Sequence, residues 1–400
     1  MSTHQRAEPV FLSQALEDLR RQHRLRSLPE VEGLPGKHVR VEGRACLNLS
    51  SNNYLGLAGH ARVRQAAADA ALRHGAGAGG SRLLGGGLPL HAELEAEVTR
   101  MRPLGKALLF NTGFMANLGV LQALAGPLGP VFSDKLNHAS VAEALRQSPG
   151  PFHRYRHADL RHLESLLAAH PGKPGLVCSE TLFSMDGDFA PLGGLLALQA
   201  RHGFCLYLDE AHSAGTHPDF PAEALRAAPP GGLIVMGTFG KAFGGFGAYV
   251  AASADVIDYL VNTARAFIFS TALPPAVAAG NLAALRVAEE ESWRREKLGV
   301  LAERARERFR SRGLDTGNSR SHILPVLAGS SRRALRCAAL LREAGFHAPA
   351  IRPPTVPPGA ARLRISLTCE FEPAEIDALA EALERALAAA DPAAHGEDHG

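Results

Sequence analysis

Short apolar runs alternate with helical patterns from about residue 60 to residue 260. The six runs are 107–110, 130–134, 175–179, 204–208, 233–236 and 247–253. Strands that alternate with helices predict right-handed crossovers and a mostly parallel sheet that is covered by helices on both faces. In such sheets the ligand binds beyond the carboxyl ends of the strands. The sequence therefore predicts an α/β fold with a site at that edge.

Two of these runs end in residues that can carry chemistry. The run 233–236 leads into the small-residue segment 238–244, which presents Lys241, and the run 204–208 leads directly into Asp209. Lys241 supplies an amine that can form a Schiff base, and Asp209 a carboxylate that could hold a pyridine nitrogen protonated. These are the two protein groups on which the chemistry of pyridoxal phosphate (PLP) depends. We therefore predict a PLP site where the two strands end.

Each of these residues also has an ordinary alternative. A loop lysine is usually a solvated surface charge, although Lys241 lies among glycines and phenylalanines, where desolvation would lower its pKa. Asp209 could simply cap a following helix. His212 could reach the phenolic oxygen of the cofactor, or it could be an exposed or structural histidine. The segment 209–212, placed after an apolar strand, is more specific than any one of its residues.

A phosphate site is predicted at residues 111–115, between an apolar run and a helix. Backbone N–H groups at a helix N-terminus bind anions, and Gly113, beside Phe114, allows a close approach. Thr238 adds a hydroxyl for the same phosphate. The alternative is a plain strand–helix turn. The glycine-rich segment 75–82 is not a dinucleotide fingerprint, because it follows a helix rather than a strand.

Three further residues lie in loops where a function is possible. His138 follows an apolar run and could stack on a cofactor ring, or it could be a surface or capping histidine. Ser184 lies in a polar turn and could be a turn residue alone. Arg352 lies in a proline-rich loop whose rigidity suits bidentate recognition of a carboxylate, although a surface arginine is the alternative.

Composition excludes several classes of partner. Lysine and arginine number 43 against 40 acidic residues, which gives no electrostatic case for nucleic acid or an anionic membrane. The five cysteines form no CxxC pair, and we expect neither disulfides nor a metal site. The first 26 residues are polar and lack an apolar signal region, and no segment has the length of a membrane span. We therefore expect a cytoplasmic protein.

The length of 400 residues predicts two unequal domains. We expect a helical arm and hairpin over 1–47, a large domain over 48–280, a smaller α+β domain over 281–390 and a frayed tail over 391–400. A single long helix is predicted over 281–312. In the C-terminal part, strands are predicted at 323–326 and 362–367, with helices at 332–345 and 373–388.

Many motifs resemble those of the α-oxoamine synthases, which are PLP-dependent enzymes of the aspartate aminotransferase fold (fold type I). They lie at residues 50–57, 79–82, 91–95, 112–114, 137–140, 183–188, 209–213, 238–244 and 269–275. The resemblance implies a large domain with a mostly parallel mixed sheet and a smaller C-terminal α+β domain. Residues 350–357 with 362–364 most resemble the members that join L-alanine to pimeloyl-CoA or a pimeloyl carrier-protein thioester for biotin synthesis.

The resemblance also implies residue roles. Lys241 would carry PLP, Asp209 would pair with the ring nitrogen, and His212 would approach the phenolic oxygen. The remaining cofactor residues would be Gly113, Phe114 and Thr238 at the phosphate, His138 stacked on the ring and Ser184 nearby. Family members are homodimers, so Ser270 and Thr271 would act from the partner chain. Arg352 would hold the substrate carboxylate, and Arg26 the far end of the acyl chain.

Two segments depart from the family pattern, namely 216–220 and 85–88, and both could affect entry of the thioester. A different α-oxoamine synthase, which would use glycine with acetyl-CoA or serine with a long acyl-CoA, is therefore the main alternative. A nucleotide-binding oxidoreductase or a non-catalytic α/β module is a more distant one.

Overall fold

The computed structural model describes residues 10–172, 175–217 and 224–390. Its central feature is a seven-stranded sheet in the order β4-β10-β9-β8-β7-β5-β6. Strand β10 is antiparallel to both of its neighbours, and the other pairs are parallel. The predicted mostly parallel mixed sheet is confirmed. Its strands are β4 (Lys106–Phe110), β5 (Val131–Asp134), β6 (Phe152–Tyr155), β7 (Leu176–Glu180), β8 (Cys205–Asp209), β9 (Leu233–Thr238) and β10 (Ala248–Ala252).

Helices cover both faces of this sheet because alternate residues of its strands are apolar on both sides. In β8, Tyr207 belongs to one buried cluster, and Leu206 and Leu208 belong to another. The helices of the large domain are α2 (Ala61–His74), α3 (Pro89–Met101), α4 (Gly113–Leu124), α5 (Ala139–Arg146), α6 (Leu160–Ala169), α7 (Leu192–His202), α8 (Ala254–Thr263), α9 (Arg265–Ile268) and α10 (Pro275–Glu290). Helix α1 (Val10–Arg21) precedes them.

The C-terminal part forms a second, smaller layer. Strands β11 (Ile323–Gly329), β14 (Ala361–Ser366) and β13 (Ala350–Ile351) make an antiparallel sheet. Helices α11 (Trp293–Ser311), α12 (Ser331–Glu343) and α13 (Pro373–Ala389) accompany it. The early strands β1 (Val31–Glu32), β2 (His38–Val41) and β3 (Arg44–Asn48) pair in order, and β3 also pairs with β12 (Phe346–His347). The predicted hairpin is therefore joined to the C-terminal part, and the predicted domain boundaries stay a prediction.

Two local expectations were wrong. The long helix expected over 281–312 is two helices, α10 and α11, which separate at Glu291 and Ser292. Both residues are compatible with a helix, so the pattern gives no sign of the break. Strand β6 was missed because only Tyr155 of its four residues is buried. An edge strand of this kind lacks the continuous apolar run that marks its neighbours.

The sheet brings the ends of β7, β8 and β9 side by side. Glu180 and Asp209 are register partners, and so are Asp209 and Met236. Behind them, Arg102 and Glu210 form an ion pair at 2.8 Å whose side chains are 7% and 0% exposed. The hydroxyl of Tyr249 also donates to this carboxylate. In the described ranges, no helix combines the length and apolar character needed to span a membrane.

Candidate active site

A cavity of about 190 Å³ lies at the carboxyl ends of the central strands. It is bounded by the start of α4, the loop before α5 and the segments that follow β7, β8 and β9. Seven residues that the sequence predicts as site residues line it. They are Gly113, Phe114, His138, Asp209, His212, Thr238 and Lys241. The fold thus assembles, in one place, groups that lie up to 128 positions apart in the sequence (241 − 113).

Lys241 begins a chain of hydrogen bonds that leads away from the cavity. Its Nζ lies 2.9 Å from Nε2 of His212, and Nδ1 of that ring lies 2.7 Å from the Tyr54 hydroxyl. Tyr54 donates to Oδ1 of Asn52 at 2.9 Å and accepts from Nη2 of Arg364 at 3.2 Å. With the hydroxyl proton on the Asn52 side, Nδ1 of His212 must be the donor. Nε2 is then left to accept a hydrogen bond from the lysine amine.

The surroundings lower the pKa of both partners and so increase the uncharged fraction of each. Burial lowers the pKa of Lys241 to about 8, the nearby carboxylates Asp209 and Glu180 oppose this, and Arg364 adds to it. Burial also lowers the pKa of His212 well below its usual value, and the charges of Lys241 and Arg364 act in the same direction. A neutral imidazole can accept from the amine, and an amine with a lowered pKa is a better nucleophile and base at neutral pH.

Asp209 is held so that both carboxylate oxygens accept hydrogen bonds. Oδ1 accepts the backbone N–H of Ala211 at 3.0 Å, and Oδ2 accepts Nδ2 of Asn117 at 3.0 Å. Asn117 is itself fixed, because the hydroxyl of Tyr207 donates to its Oδ1. No helix is described directly after Asp209, since residues 211–216 form turns. Asp209 therefore caps a local turn rather than a helix. The residue is 5% exposed and lines the cavity.

Glu180 is a second carboxyl group in the wall of the cavity. It is 2% exposed, and its Oε1 has no hydrogen-bond partner. Burial raises its pKa well above the usual value, the neighbouring charge of Asp209 adds to this, and Lys241 opposes it. A buried polar atom without a partner is costly, so a group that reaches it from the cavity is expected.

The start of α4 forms an anion cradle at the other end of the cavity. The hydroxyl of Thr112 accepts the N–H of Met115 at 3.1 Å, which leaves the N–H groups of Gly113 and Phe114 at the open end of the helix. Thr238 accepts the N–H of Gly240 at 3.1 Å and donates to a backbone carbonyl. The cavity thus brings together an amine, a carboxylate and a helix N-terminus. These groups fit an aldehyde that carries a pyridine ring and a phosphate.

His138 both caps a helix and lines the cavity. Its Nδ1 accepts the N–H of Ser140 at 3.2 Å, and the Ser140 hydroxyl lies at 2.8 Å. Since Nδ1 is the acceptor, Nε2 carries the ring proton. Burial lowers the pKa of His138 and the charge of Lys241 acts with it, whereas Asp209 opposes it. The capping role is therefore observed, and stacking on a cofactor stays a prediction.

The remaining cofactor residues lie outside the set that lines the cavity. Ser184 is half-buried, and its carbonyl accepts Nε of Arg364 at 2.6 Å. Ser270 and Thr271 lie beside Asn111, whose Nδ2 donates to the carbonyl of Thr271 at 2.8 Å. A role from the partner chain, as predicted for these two residues, is compatible with their place at the edge of one chain.

The two predicted substrate residues lie together but away from this cavity. Arg352 donates to the carbonyls of His23 and Leu25 on the N-terminal arm. Arg26 lies on the same arm, 3.5 Å from the hydroxyl of Thr355. Burial lowers the pKa of Arg352, and the charge of Arg26 adds to the effect. The structure therefore places these two arginines near each other, and their contact with a substrate stays a prediction.

Four site residues were missed from the sequence. They are Tyr54, Asn117, Glu180 and Arg364. Glu180 could have been found by the rule that found Asp209, because each is the last residue of a buried strand. Arg364 shares the pattern Arg362-Leu363-Arg364 with a second buried arginine, and alternation places both on one face of β14.

The comparisons with known proteins agree with this geometry. The family profile described as aminotransferase class I and II matches residues 44–383. The chain belongs to this family, and the predicted fold class is confirmed. Among its relatives are the 8-amino-7-oxononanoate synthases. That of Anaeromyxobacter dehalogenans is 47% identical over 371 residues, which cover 92% of this chain and 93% of the relative. That of Geobacter sulfurreducens is 44% identical over 376 residues, which cover 92% and 96%.

Solved structures give the same picture of the fold. A serine palmitoyltransferase from S. paucimobilis with a bound PLP–myriocin aldimine has a TM-score of 0.87 and 28% identity, and the match covers 95% of this chain and 98% of that one. The 8-amino-7-oxononanoate synthase from Francisella tularensis has a TM-score of 0.74 and 26% identity, with 86% and 98% covered. The resemblance to the α-oxoamine synthases predicted from the motifs is confirmed.

Proposed function

We propose that the chain is an 8-amino-7-oxononanoate synthase that uses PLP. It joins L-alanine to pimeloyl-CoA, or to a pimeloyl carrier-protein thioester, and releases CO₂ and the free thiol. The family and the curated relatives confirm the predicted enzyme class and the predicted cofactor. Within the structure, the observation that carries the proposal is the cavity in which the Lys241 amine and the Asp209 carboxylate meet.

Some residues of the cavity would hold the cofactor, and others would transfer protons. PLP, when bound, supplies an electron sink for the charge that develops at the α-carbon of the amino acid. Asp209, already anchored by two donors, would keep the ring nitrogen protonated. The start of α4 and Thr238 would hold the phosphate. Lys241 would take the Cα proton of alanine and return one to the product, and His212 would orient its amine.

Two arginines, Arg26 on the N-terminal arm and Arg352 in the loop that contacts the arm, suit substrate carboxylates. A pimeloyl thioester carries a free carboxylate at the far end of its chain, and a pair of guanidinium groups suits such an anion. Arg26 and Arg352 lie close enough for the charge of Arg26 to lower the pKa of Arg352, so an anion bound there would offset their mutual repulsion. We keep the prediction that Arg352 binds a substrate carboxylate and that Arg26 binds the end of the acyl chain.

We further propose a homodimer that works in the reducing cytoplasm. Several large apolar side chains are exposed on the single chain, among them one at the start of α4 and one directly before Ser270. They are Leu72, Leu83, Leu84, Phe114, Phe246 and Phe269, with exposures of 45% to 88%. Exposed apolar surface marks protein interfaces, and an interface that includes Phe114 and Phe269 would let Ser270 and Thr271 reach the partner's site. The five cysteines are all free, as expected for a reducing compartment.

The alternative chemistry is that of a sibling enzyme. The serine palmitoyltransferase structure has the higher TM-score, but it shares 28% identity, against 47% for a relative named 8-amino-7-oxononanoate synthase. Substrate choice depends on side chains more than on backbone shape. We therefore expect alanine with a pimeloyl thioester to be preferred over serine with a long acyl-CoA or glycine with acetyl-CoA.

Product identity tests the function directly. The purified holoenzyme is incubated with alanine, glycine or serine and each of the three thioesters, and the products are identified by mass spectrometry. Lys241→Ala should abolish product formation and should also abolish the covalent trapping of PLP on the protein by borohydride. The control Lys106→Ala, which removes a surface lysine paired with Asp258, should retain both. A preference for another pair of substrates, or turnover by the Lys241 variant, would refute the proposal.

A further inference from the structure

Two loops place the cofactor residues that lie furthest from Lys241. The first, residues 134–138, leaves β5 and ends at His138. The second, residues 183–188, follows β7 and contains Ser184. The first is tied to β7 by Asn137, whose Oδ1 accepts the N–H of Glu180 at 2.9 Å. The second is tied to β14 through the carbonyl of Ser184. Each loop thus has its own anchor, and the carboxyl group of Glu180 connects them once, because it faces backbone N–H groups of both His138 and Ser184.

His157 makes a second connection, between the first residue of one loop and the last residue of the other. Its Nδ1 lies 3.0 Å from Oδ1 of Asp134 in the first loop, and its Nε2 lies 2.9 Å from Oδ2 of Asp188 in the second. The ring also stands edge-on to Phe183, with the centroids 4.4 Å apart. The three polar side chains are shielded from solvent, with exposures of 18% for His157, 1% for Asp134 and 13% for Asp188.

The first loop depends on Asp134 for its shape. Oδ1 of this carboxylate accepts the N–H of Leu136 at 2.8 Å, two residues before His138, and Oδ2 accepts the N–H of Ala158 at 2.9 Å. A shift of Asp134 would therefore move the turn that ends at His138. On the other side, the carbonyl of Asp188 accepts the N–H of Phe183 at 3.0 Å, so this residue closes the loop that contains Ser184.

We propose that His157 is a positioning residue of the active site. As an imidazolium it joins Asp134 to Asp188, and it thereby fixes the loop of His138 relative to the loop of Ser184. The role in cofactor binding rests on the proposed function. The presence of an imidazolium that donates one hydrogen bond to each carboxylate does not depend on that function.

The geometry requires both ring nitrogens to donate. A neutral imidazole has one N–H, so its second nitrogen would direct a lone pair at a carboxylate. The titratable groups that face the ring are Asp134 and Asp188. Behind them, burial raises the pKa of Tyr155, and the charge of Asp134 adds to this. Although burial opposes the charge, the hydrogen bonds and charges of the two carboxylates raise the pKa of His157 to about 10. The ring is therefore charged throughout the neutral range.

Three variants separate positioning from simple stability. His157→Gln removes the double donor and leaves one carboxylate unpaired. Asp188→Asn keeps an acceptor for Nε2 and the shape of the loop, so the bridge should survive. His162→Gln is the matched control, because this histidine lies in the same segment and accepts the N–H of Arg156 at 2.9 Å without touching either loop. For each holoenzyme we measure the urea midpoint, PLP release on dilution, and kcat and KM.

We expect His157→Gln to raise the dissociation constant of PLP by about tenfold or more, which is the scale of one lost charge-assisted hydrogen bond. It should also lower kcat more than it changes either KM. Asp188→Asn should stay within about threefold of the wild-type dissociation constant. His162→Gln should alter the urea midpoint alone. If His157→Gln behaves like His162→Gln, with PLP affinity and kcat intact, the positioning role is wrong.

A spectroscopic readout tests the bridge without any turnover. In ¹⁵N-histidine-labelled protein, the signals lost in His157→Gln identify the ring, and both of its nitrogens should be protonated from pH 6 to pH 9. A ring with one protonated nitrogen at pH 7 would overturn the proposal. If the wild-type chain bound no PLP, the proposed function would fail instead, and this spectrum would still decide whether His157 forms the imidazolium bridge.

Discussion

The lowered pKa of Lys241 has a measurable consequence for its reactivity. With a pKa of about 8, about 9% of the amine is uncharged at pH 7, whereas a lysine at 10.5 would have about 0.03%. The difference is about 300-fold in the concentration of the reactive form. We therefore predict that attachment of PLP to the cofactor-stripped chain rises with pH and levels off above a midpoint near 8.

Two substitutions should move this midpoint in opposite directions. Asp209 raises the pKa of Lys241, and Arg364 lowers it. Asp209→Asn should therefore move the midpoint below that of the wild type, and Arg364→Gln should move it above. These signs follow from the loss of each charge. Asp209→Asn also keeps the size of the side chain, whereas Gln is shorter than Arg and gives up the hydrogen bond to the Tyr54 hydroxyl.

Attachment is followed by reductive trapping and mass spectrometry of the peptide that contains Lys241. A second peptide from the same digest, containing the surface residue Lys106, corrects for the reactivity of the reagent at each pH. A midpoint near 10.5 in the wild type, or the same midpoint in Asp209→Asn and Arg364→Gln, would refute the electrostatic argument. It would leave the lysine as an ordinary amine whose chemistry depends on the cofactor alone.

Further predictions concern stability, substrate and assembly. Arg102→Leu leaves the fully buried Glu210 with the Tyr249 hydroxyl but without a charged partner, so we expect a loss of about 3–5 kcal/mol in urea unfolding. Arg26→Gln should raise KM for the pimeloyl thioester by about tenfold and leave KM for alanine unchanged in steady-state assays. Phe269→Asp places a charge on a side chain that is 71% exposed in one chain, so light scattering should show the monomer mass and activity should fall. The pKa of His157 is raised from 6.5 to about 10, so its contribution to stability should be complete below pH 6.5 and lost as the pH rises through 10. Urea unfolding of the wild type and of His157→Gln at each pH measures this contribution as the difference in unfolding free energy.

The central sheet was predictable because its strands are buried on both faces. Each of the six expected strands is a continuous apolar run, and such runs stand out from the surrounding helices. The two errors arose where burial is weaker or one helix follows another. Strand β6 lies at the edge of the sheet, and the break between α10 and α11 falls at Glu291 and Ser292, which a helix tolerates. The periodicity of apolar residues indicates which face of a helix is buried, but it does not show where one helix ends and the next begins in a new direction.

The placement of Lys241, Asp209 and His212 in the cavity was also predictable, because Asp209 ends a buried strand and the other two lie just beyond strand ends. The arginines were harder. Arg352 was chosen for its rigid loop, and the structure holds it against the N-terminal arm. Arg364 lies in β14, 7% exposed, and donates to the Tyr54 hydroxyl in the hydrogen-bond chain of Lys241. Whether an arginine in a strand faces solvent or a buried network depends on the layer packed against it, which the sequence does not reveal.

Glu180 shows what the sheet adds to the individual motifs. Parallel pairing sets it directly beside Asp209, so two carboxyl groups share one enclosed space with Lys241. The two acids cannot both be charged there without mutual repulsion, and their surroundings separate them. Asp209 has two donors that favour its anion, whereas Oε1 of Glu180 has none and its pKa is raised. The register of two strands thus assigns a carboxylate and a neutral acid to adjacent positions. Burial is the main reason that Glu180 is the neutral acid, and the neighbouring charge of Asp209 adds to the effect.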